Sequence, residues 1–245
     1  MESEAYAALA HQEDHHWWFA GRRRILTDLL RAHLKPRDGR RILDVGCGTG
    51  GMFQMLKPLG HVEGADGSQE AIGYATSRHP DVTIHEVRLP DALPGADWDL
   101  ITAFDVVEHL DEPVASLAAM RDRLAPDGQV VVTVPAYDFL SSHHDVVHHH
   151  KRRYRRALLV EQLRAAGLRP TYTTHFNTWL LPAIASVRLA GRLLKVGNGH
   201  ARGDLRDTPG PLNAALTWLF ASERMALRVA PLPAGVSIFA IAERG

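Results

Sequence analysis

The chain has one cysteine, Cys47, in 245 residues. An internal disulfide is therefore excluded, and a lone thiol suits a reducing compartment, so a cytoplasmic location is expected. No run of about eighteen uncharged apolar residues occurs, which argues against a membrane-spanning helix. The nearest approach, FNTWLLPAIASV from Phe176, is short and contains Pro182. The first residues, MESEAYAALAHQEDHH, are acidic and lack an apolar core, so they do not read as a secretory signal. An excess of charge is missing too. Lys+Arg and Asp+Glu stand at 28 each, so no global field gathers nucleic acid, and no nucleic-acid partner is expected.

What is present is an alternation of short apolar runs with helical patterns. Residues 1–35 read as helical, with Phe19, Ile25, Leu26, Leu29, Leu30 and Leu34 at near-helical spacing before the breaker KPRDGR. Strands are expected at RILDVG, HVEGAD, VTIHEV, DLITAFDV, QVVVTVPA and RPTYTTHF. Helices are expected at GGMFQMLKPLG, SQEAIGYATSRHP, PVASLAAMRDRLAPDG and RRALLVEQLRAAGL, the third ended by Pro126 and Gly128. Such alternation implies a parallel, doubly wound α/β sheet covered on both faces. The rhythm breaks at 176–234, where two apolar helical patterns flank the glycine-rich link VGNGHARGDLRDTPG. That stretch reads as an insertion before the final strand, GVSIFAIAER. It serves either as extra core packing or as an apolar wall for a greasy substrate or partner.

RILDVGCGTGG is the most informative segment. A hydrophobic strand runs into glycines and then into a helix expected from about Met52, a geometry suited to close approach of a ligand to the backbone. The G-x-G-x-x-G formed by Gly46, Gly48 and Gly51 is by itself a weak nucleotide signal. Asp44, at the strand end, adds a carboxylate able to hold a cationic amino-acid moiety. Asp66 ends the second strand, where an acidic side chain accepts ribose hydroxyls. Cys47 reads as a small loop residue, with no activating base beside it.

With these residues in view, the sequence resembles the class I S-adenosylmethionine-dependent methyltransferases. LDVGCGTG is similar to their first motif, VEGADGS to their second, DLITAFDVVEHLDEP to their fourth-strand motif and LAPDGQVVVTVP to their fifth. The resemblance is close from Arg41 to Pro135. It implies a Rossmann-like, seven-stranded sheet of order 3-2-1-4-5-7-6 with the last strand antiparallel. It further implies one methyltransferase domain: a helical lid at 1–38, a cofactor-binding core at 39–175, the helical insertion at 176–234 and the final strand at 235–245. Gly46, Gly48 and Gly50 would let the backbone meet the methionine part of S-adenosylmethionine. Asp66 and Gly67 would lie at the ribose, Arg88 and Leu89 beside adenine, and Phe104 and Asp105 near the transferring methyl.

The segment after the fifth strand, HHDVVHHHKRRYRR, carries five histidines in eight positions, then five basic residues in six. It lies at the carboxyl edge of the sheet, where open α/β folds bind ligands. His144-Asp145, His150 and Arg152-Arg153-Tyr154 resemble a subset of these methyltransferases often found in glycan or secondary-metabolite pathways; His148 and His149 fall outside that register. HHWWFAGRRR resembles the same subset, which implies a lid with Trp17, Trp18 and Phe19 as apolar cover and Arg22 or Arg23 for a carboxylate. The candidate catalytic residues are His109, His144, Asp145, His150 and Tyr154. His144, Asp145 and His150 either lock the loop by hydrogen bonds, bind and deprotonate the acceptor, or hold a metal. No metal is expected, because the spacing fixes no coordination cage.

The expectation is methyl transfer from S-adenosylmethionine, leaving S-adenosylhomocysteine. The acceptor is a small molecule, natural product or glycan- or lipid-linked intermediate, taken at oxygen because a histidine-rich pocket suits deprotonating a hydroxyl. The rivals are C- or N-methylation, with or without metal help, and a non-catalytic cofactor-binding protein. Peripheral membrane contact through 176–234 stays open.

Overall fold

The computed structural model describes residues 3–91, 93–141, 145, 150–193 and 208–245. His144, His148, His149 and most of the glycine-rich link lie outside them. Seven strands form one sheet: β1 Arg41–Val45, β2 His61–Asp66, β3 Thr83–Glu86, β4 Trp98–Phe104, β5 Leu124–Pro135, β6 Leu168–Phe176 and β7 Ser237–Arg244. The order is β3-β2-β1-β4-β5-β7-β6, parallel except for β7, which runs antiparallel to both neighbours. This is the expected Rossmann-like arrangement.

The described helices are α1 Ser3–His15, α2 Trp17–His33, α3 Phe53–Leu56, α4 Gln69–Arg78, α5 Pro113–Asp122, α6 Arg156–Ala165, α7 Leu181–Leu193 and α8 Gly210–Leu227. Side chains alternate across the strands, so the two faces of the sheet feed separate cores. Ile42, Leu100, Val131, Phe239 and Ile241 pack with Ile25, Leu26, Leu29 and Leu30 of α2. Leu43, Ile101, Val130 and Val132 pack on the other side with Leu117 and Met120 of α5 and Leu159 and Leu163 of α6. Each fully buried Leu or Ile contributes about 1.5–3 kcal/mol.

Two local expectations are corrected. The helix expected from Met52 through the Lys57-Pro58-Leu59 stretch is only Phe53–Leu56. It tightens into a single 3₁₀ turn over Lys57–Leu59, with Gly60 beyond it. The helix expected to reach Pro126 and Gly128 ends at Asp122, and β5 begins at Leu124. Leu124 pairs with Trp98, but the next pair is Gln129 with Leu100, so Ala125–Gly128 bulge out of the ladder. Gly128 is required there because a Cβ would collide with the Trp98 carbonyl.

The segment between β6 and β7 packs on the rest through α2. Gly21 leaves room for the Phe220 ring, which a Cβ at 21 would meet at 2.7 Å, and Trp17 meets Phe220 edge-on at 6.2 Å. The outer side of these helices exposes Val187 and Leu189 on α7 and Leu212, Trp218 and Met225 on α8. Among the described residues no helix is long and apolar enough to cross a membrane.

Candidate active site

A cavity of about 910 Å³ opens along the carboxyl ends of β1, β2, β4 and β5. Its floor is the turn after β1. Gly46, Gly48 and Gly50 have φ of +67°, +55° and +84°, a region that L side chains adopt at a cost. A Cβ at Gly46 would strike Val106, whereas one at Gly48 would meet nothing within 4 Å and would occupy the cavity's own space. Gly50 supports the turn from below and does not line the cavity. Cys47 is buried and its thiol pushed up by desolvation, so it is no nucleophile.

Three carboxylates end neighbouring strands. Asp44, on β1, is buried and accepts a hydrogen bond from the Thr102 hydroxyl at 2.6 Å. Burial pushes its carboxyl up to about 7; Thr102 opposes the shift and the negative Asp66 adds to it. Asp66 closes β2, its two oxygens accepting from the backbone N–H groups of Gly48 and Ser68, each at 2.9 Å. Asp105 follows β4 with φ of +55°, a strained backbone at the cavity rim. Gly67, Arg88, Leu89 and Phe104 also line this half, where the sequence placed ribose, adenine and methyl contacts.

The N-terminal helices cover the opening. Arg22 is buried on α2 and pairs with Asp105 at 2.7 Å, its guanidinium lying 5.0 Å from the Trp18 ring. Trp17 also lines the cavity, its backbone N–H bonded to the Asn213 side chain. Arg23 is not part of this site. It donates to the Glu13 carbonyl at 2.7 Å and lines a separate shallow depression. Glu13 itself escaped the sequence reading. Its carboxylate accepts from Thr49 and Arg78, each at 2.6 Å, and so fastens α1 over the glycine turn.

The far half of the cavity holds Glu108, His109 and His150. Asp145 stands behind His150, accepting at 2.9 Å from or sharing a proton with Nδ1. Arg153 clamps the same carboxylate with two bonds of 2.7 and 3.0 Å. The Lys151 N–H donates to the Glu108 carbonyl, which ties the histidine segment to the turn after β4. Tyr154 is not in this cluster, contrary to expectation. In the extended chain Arg153 and Tyr154 point to opposite sides, so Tyr154 enters the core. Its hydroxyl meets Gln162, and burial pushes its pKa up to about 12.

Several polar atoms on the cavity wall are buried without a hydrogen-bond partner: Arg22 Nε, Asn177 Oδ1 and both oxygens of Glu108. Desolvation, then the nearby Asp105 charge, drives the Glu108 carboxyl well above its ordinary range. Buried polar atoms are normally satisfied, so these mark where a ligand completes the wall. Neither Glu108 nor Asn177 was singled out from sequence. Glu108 was visible beside His109 in VVEHL, while Asn177 carried no local signal.

The doubly wound sheet, the glycine turn and the carboxylates at adjoining strand ends define an open α/β fold with a ligand cavity at its strand tips. The chain belongs to the methyltransferase-domain family, whose pattern matches residues 16–184. It is 32% identical over 143 residues to the ubiquinone biosynthesis O-methyltransferase of Paraburkholderia phytofirmans, covering 53% of this chain and 60% of that one. Across the first curated relatives the chain spans between 38% and 60% of their length. Among solved structures it resembles geranyl diphosphate C-methyltransferase of Streptomyces coelicolor A3(2), crystallised with Mg²⁺, geranyl-S-thiolodiphosphate and S-adenosylhomocysteine. The TM-score is 0.59 and the identity 15%, over 90% of this chain and 75% of that one. A TehB-like S-adenosylmethionine-dependent methyltransferase of Corynebacterium glutamicum gives 0.52 and 19%, over 89% and 87%. At these identities the likeness to both structures is one of fold.

Proposed function

We propose that this chain transfers a methyl group from S-adenosylmethionine to an oxygen of a small-molecule, natural-product or glycan- or lipid-linked acceptor. The residues present fit that cofactor. Gly48 leaves the backbone open to a ligand, and Asp44, Asp66 and Asp105 set negative charge where a cationic amino group, a ribose and a sulfonium would lie. Arg22 offers an unpartnered buried Nε to the carboxylate. When bound, S-adenosylmethionine supplies a methyl carbon already activated by its positive sulfur.

The protein's task is then to hold an acceptor lone pair in line and to take up its proton. Orientation alone is worth roughly 7–11 kcal/mol, and acid–base help about 10²–10⁴-fold. The observation that carries the reading is the imidazole–carboxylate cluster facing the cofactor half of the same cavity. There His150 is held by Asp145 at 2.9 Å, and Asp145 by Arg153. His109 stands against His150, ring centroids 4.7 Å apart. Oxygen is favoured as acceptor because such a cluster suits a hydroxyl that must lose its proton. The apolar side chains exposed on α7 and α8 support an acceptor with a greasy portion, or one presented at a membrane surface.

The test is labelled-methyl transfer to extracts of the source organism, with S-adenosylhomocysteine formation as second readout. Alanine at His144 or His150 should cut turnover at least about tenfold with cofactor affinity held within a factor of a few, and alanine at His148 or His149 should do much less. Equal and small effects at all four positions would remove the cluster from the chemistry. Cofactor binding without transfer to any extract would favour a non-catalytic role.

A further inference from the structure

Glu108, His109 and His150 each offer one ligand atom, and these three atoms lie within 4.8 Å of one another. Glu108 is fully buried, yet both of its carboxylate oxygens lack a hydrogen-bond partner and the residue lines the cavity. A buried carboxyl in this state either stays protonated or gives up its proton for a positive partner. Arg22 and Arg153 do not fill that role directly, since the first is engaged by Asp105 and Thr133 and the second by Asp145 and the Ala136 carbonyl. His150 is held at Nδ1 by Asp145, the carboxylate–imidazole pairing that orients a metal-binding histidine and sets Nε2 as its ligating atom. Arg153 in turn fixes the carboxylate, so the outer support is rigid.

We propose that Glu108, His109 and His150 bind a divalent transition cation whose open coordination position takes the acceptor's oxygen. Two imidazoles and one carboxylate suit zinc, iron, cobalt or manganese, and disfavour magnesium and calcium, which prefer all-oxygen sets. Bonds of about 2.1 Å in a tetrahedral site would bring the donors to about 3.4 Å apart. Three protein ligands leave the fourth position to water or substrate, as a catalytic rather than a structural site requires.

This inference rests on the acceptor-site reading above and states how that site prepares an oxygen. In this form the two imidazoles ligate the cation instead of taking the proton: the bound cation lowers the pKa of the acceptor hydroxyl, whose proton passes to solvent. The oxygen lone pair then forms the new O–CH₃ bond, while the pair of the S–CH₃ bond stays on sulfur as a neutral thioether. The cation ends the step with its charge and ligands unchanged. Asp66 ends β2 and Glu108 follows β4, with β1 between them in the sheet, so the metal and the nucleoside portion would take separate parts of the cavity.

The experiment is a calorimetric titration of chelator-stripped full-length protein with Zn²⁺ and, in parallel, Co²⁺, reading the visible d–d absorption of the latter; Mg²⁺ is the control cation. One equivalent of Zn²⁺ or Co²⁺ should bind, with a tetrahedral or five-coordinate cobalt spectrum, and Mg²⁺ should not compete. Glu108→Gln and His150→Ala should abolish that equivalent, and Asp145→Asn should weaken it about 10- to 100-fold. Circular dichroism of each variant establishes that it is folded. For a variant that does not fold, competition of Zn²⁺ for the cobalt signal in the wild type, lost on alkylation of the histidines, replaces it. Binding that survives all three substitutions belongs to other histidines and overturns the proposal, as does the absence of binding. S-adenosylhomocysteine affinity and methyl transfer are measured on the same samples. If methyl transfer persists in metal-free protein, the metal inference fails and the methyltransferase reading stands.

Discussion

Arg22 and Asp105 meet at 2.7 Å although they come from the N-terminal helix and the tip of β4, and Thr133 closes the triangle by bonding to both. The pair joins the cover of the cavity to its floor. A buried guanidinium with one nitrogen still unpartnered is placed to receive a ligand carboxylate. Arg22→Ala should weaken S-adenosylhomocysteine binding by about 1.5–3 kcal/mol, roughly ten- to a hundredfold, by calorimetry. Arg22→Lys should recover only part, because an ammonium cannot reproduce the fork. Unchanged affinity in both variants would leave the ion pair a purely structural clasp.

Cofactor binding should be linked to a proton at Asp44. Burial holds its carboxyl up at about 7, so in the ligand-free protein it is substantially protonated below neutrality. A cationic amino group placed beside it favours the ionised form, so binding at about pH 6 should release a proton and affinity should rise with pH until the carboxyl is ionised. Calorimetry in buffers of different ionisation enthalpy measures that release. Asp44→Asn should abolish it; a release that persists in this variant would place the proton elsewhere.

The glycines of the turn should separate folding from binding. Gly46→Ala places a side chain against Val106 at φ of +67° and should lower the midpoint of thermal unfolding clearly. Gly48→Ala carries only the left-handed backbone penalty, about 1–2 kcal/mol, because its Cβ meets no protein atom. It should nonetheless lose cofactor affinity, since that Cβ occupies the ligand's approach. Equal stability losses with intact binding in both would contradict this placement.

Glu223 gives the fold a pH dependence of its own. Its carboxyl is buried and raised from 4.5 to about 7 by desolvation, while the backbone N–H groups of Trp179, Asn177 and Thr178 pull it down. A carboxyl raised on folding stabilises the fold fully below its unfolded value and loses that contribution as pH rises through its folded value. Between about pH 5 and 7 the unfolding temperature of the wild type should therefore fall relative to that of Glu223→Gln. Parallel curves would mean that the carboxyl does not titrate in this window. Asp44 acts in the same direction in both proteins and cancels from the comparison.

Whatever lies within a few residues of itself in the chain could be read from the sequence. Asp44, Gly46 and Gly48 sit on one strand and its turn, so their chemistry is local, and the strand order follows from motifs in sequence. Glu108 was passed over because its importance comes from burial and from His150, which lies forty-two positions away. Tyr154 was placed in the site with Arg153 through the resemblance of Arg152-Arg153-Tyr154 to that methyltransferase subset, but an extended chain sends neighbours to opposite faces, and Tyr154 enters the core. Arg23 differs from Arg22 by one helical step of about 100°, enough to turn it out of the cavity. The bulge at Ala125–Gly128 was unreadable because Pro and Gly mark a helix end and a strand irregularity alike.

Phe220 fills the notch left by Gly21, directly beside the arginine that α2 sends into the cavity. Neighbouring residues of α2 thus face two ways: Gly21 seats α8 through Phe220, and Arg22 reaches Asp105 at the cavity. Bulk added at Gly21 therefore acts at once on the seat of α8 and, one residue on, on the turn of helix that carries the Arg22–Asp105 clasp.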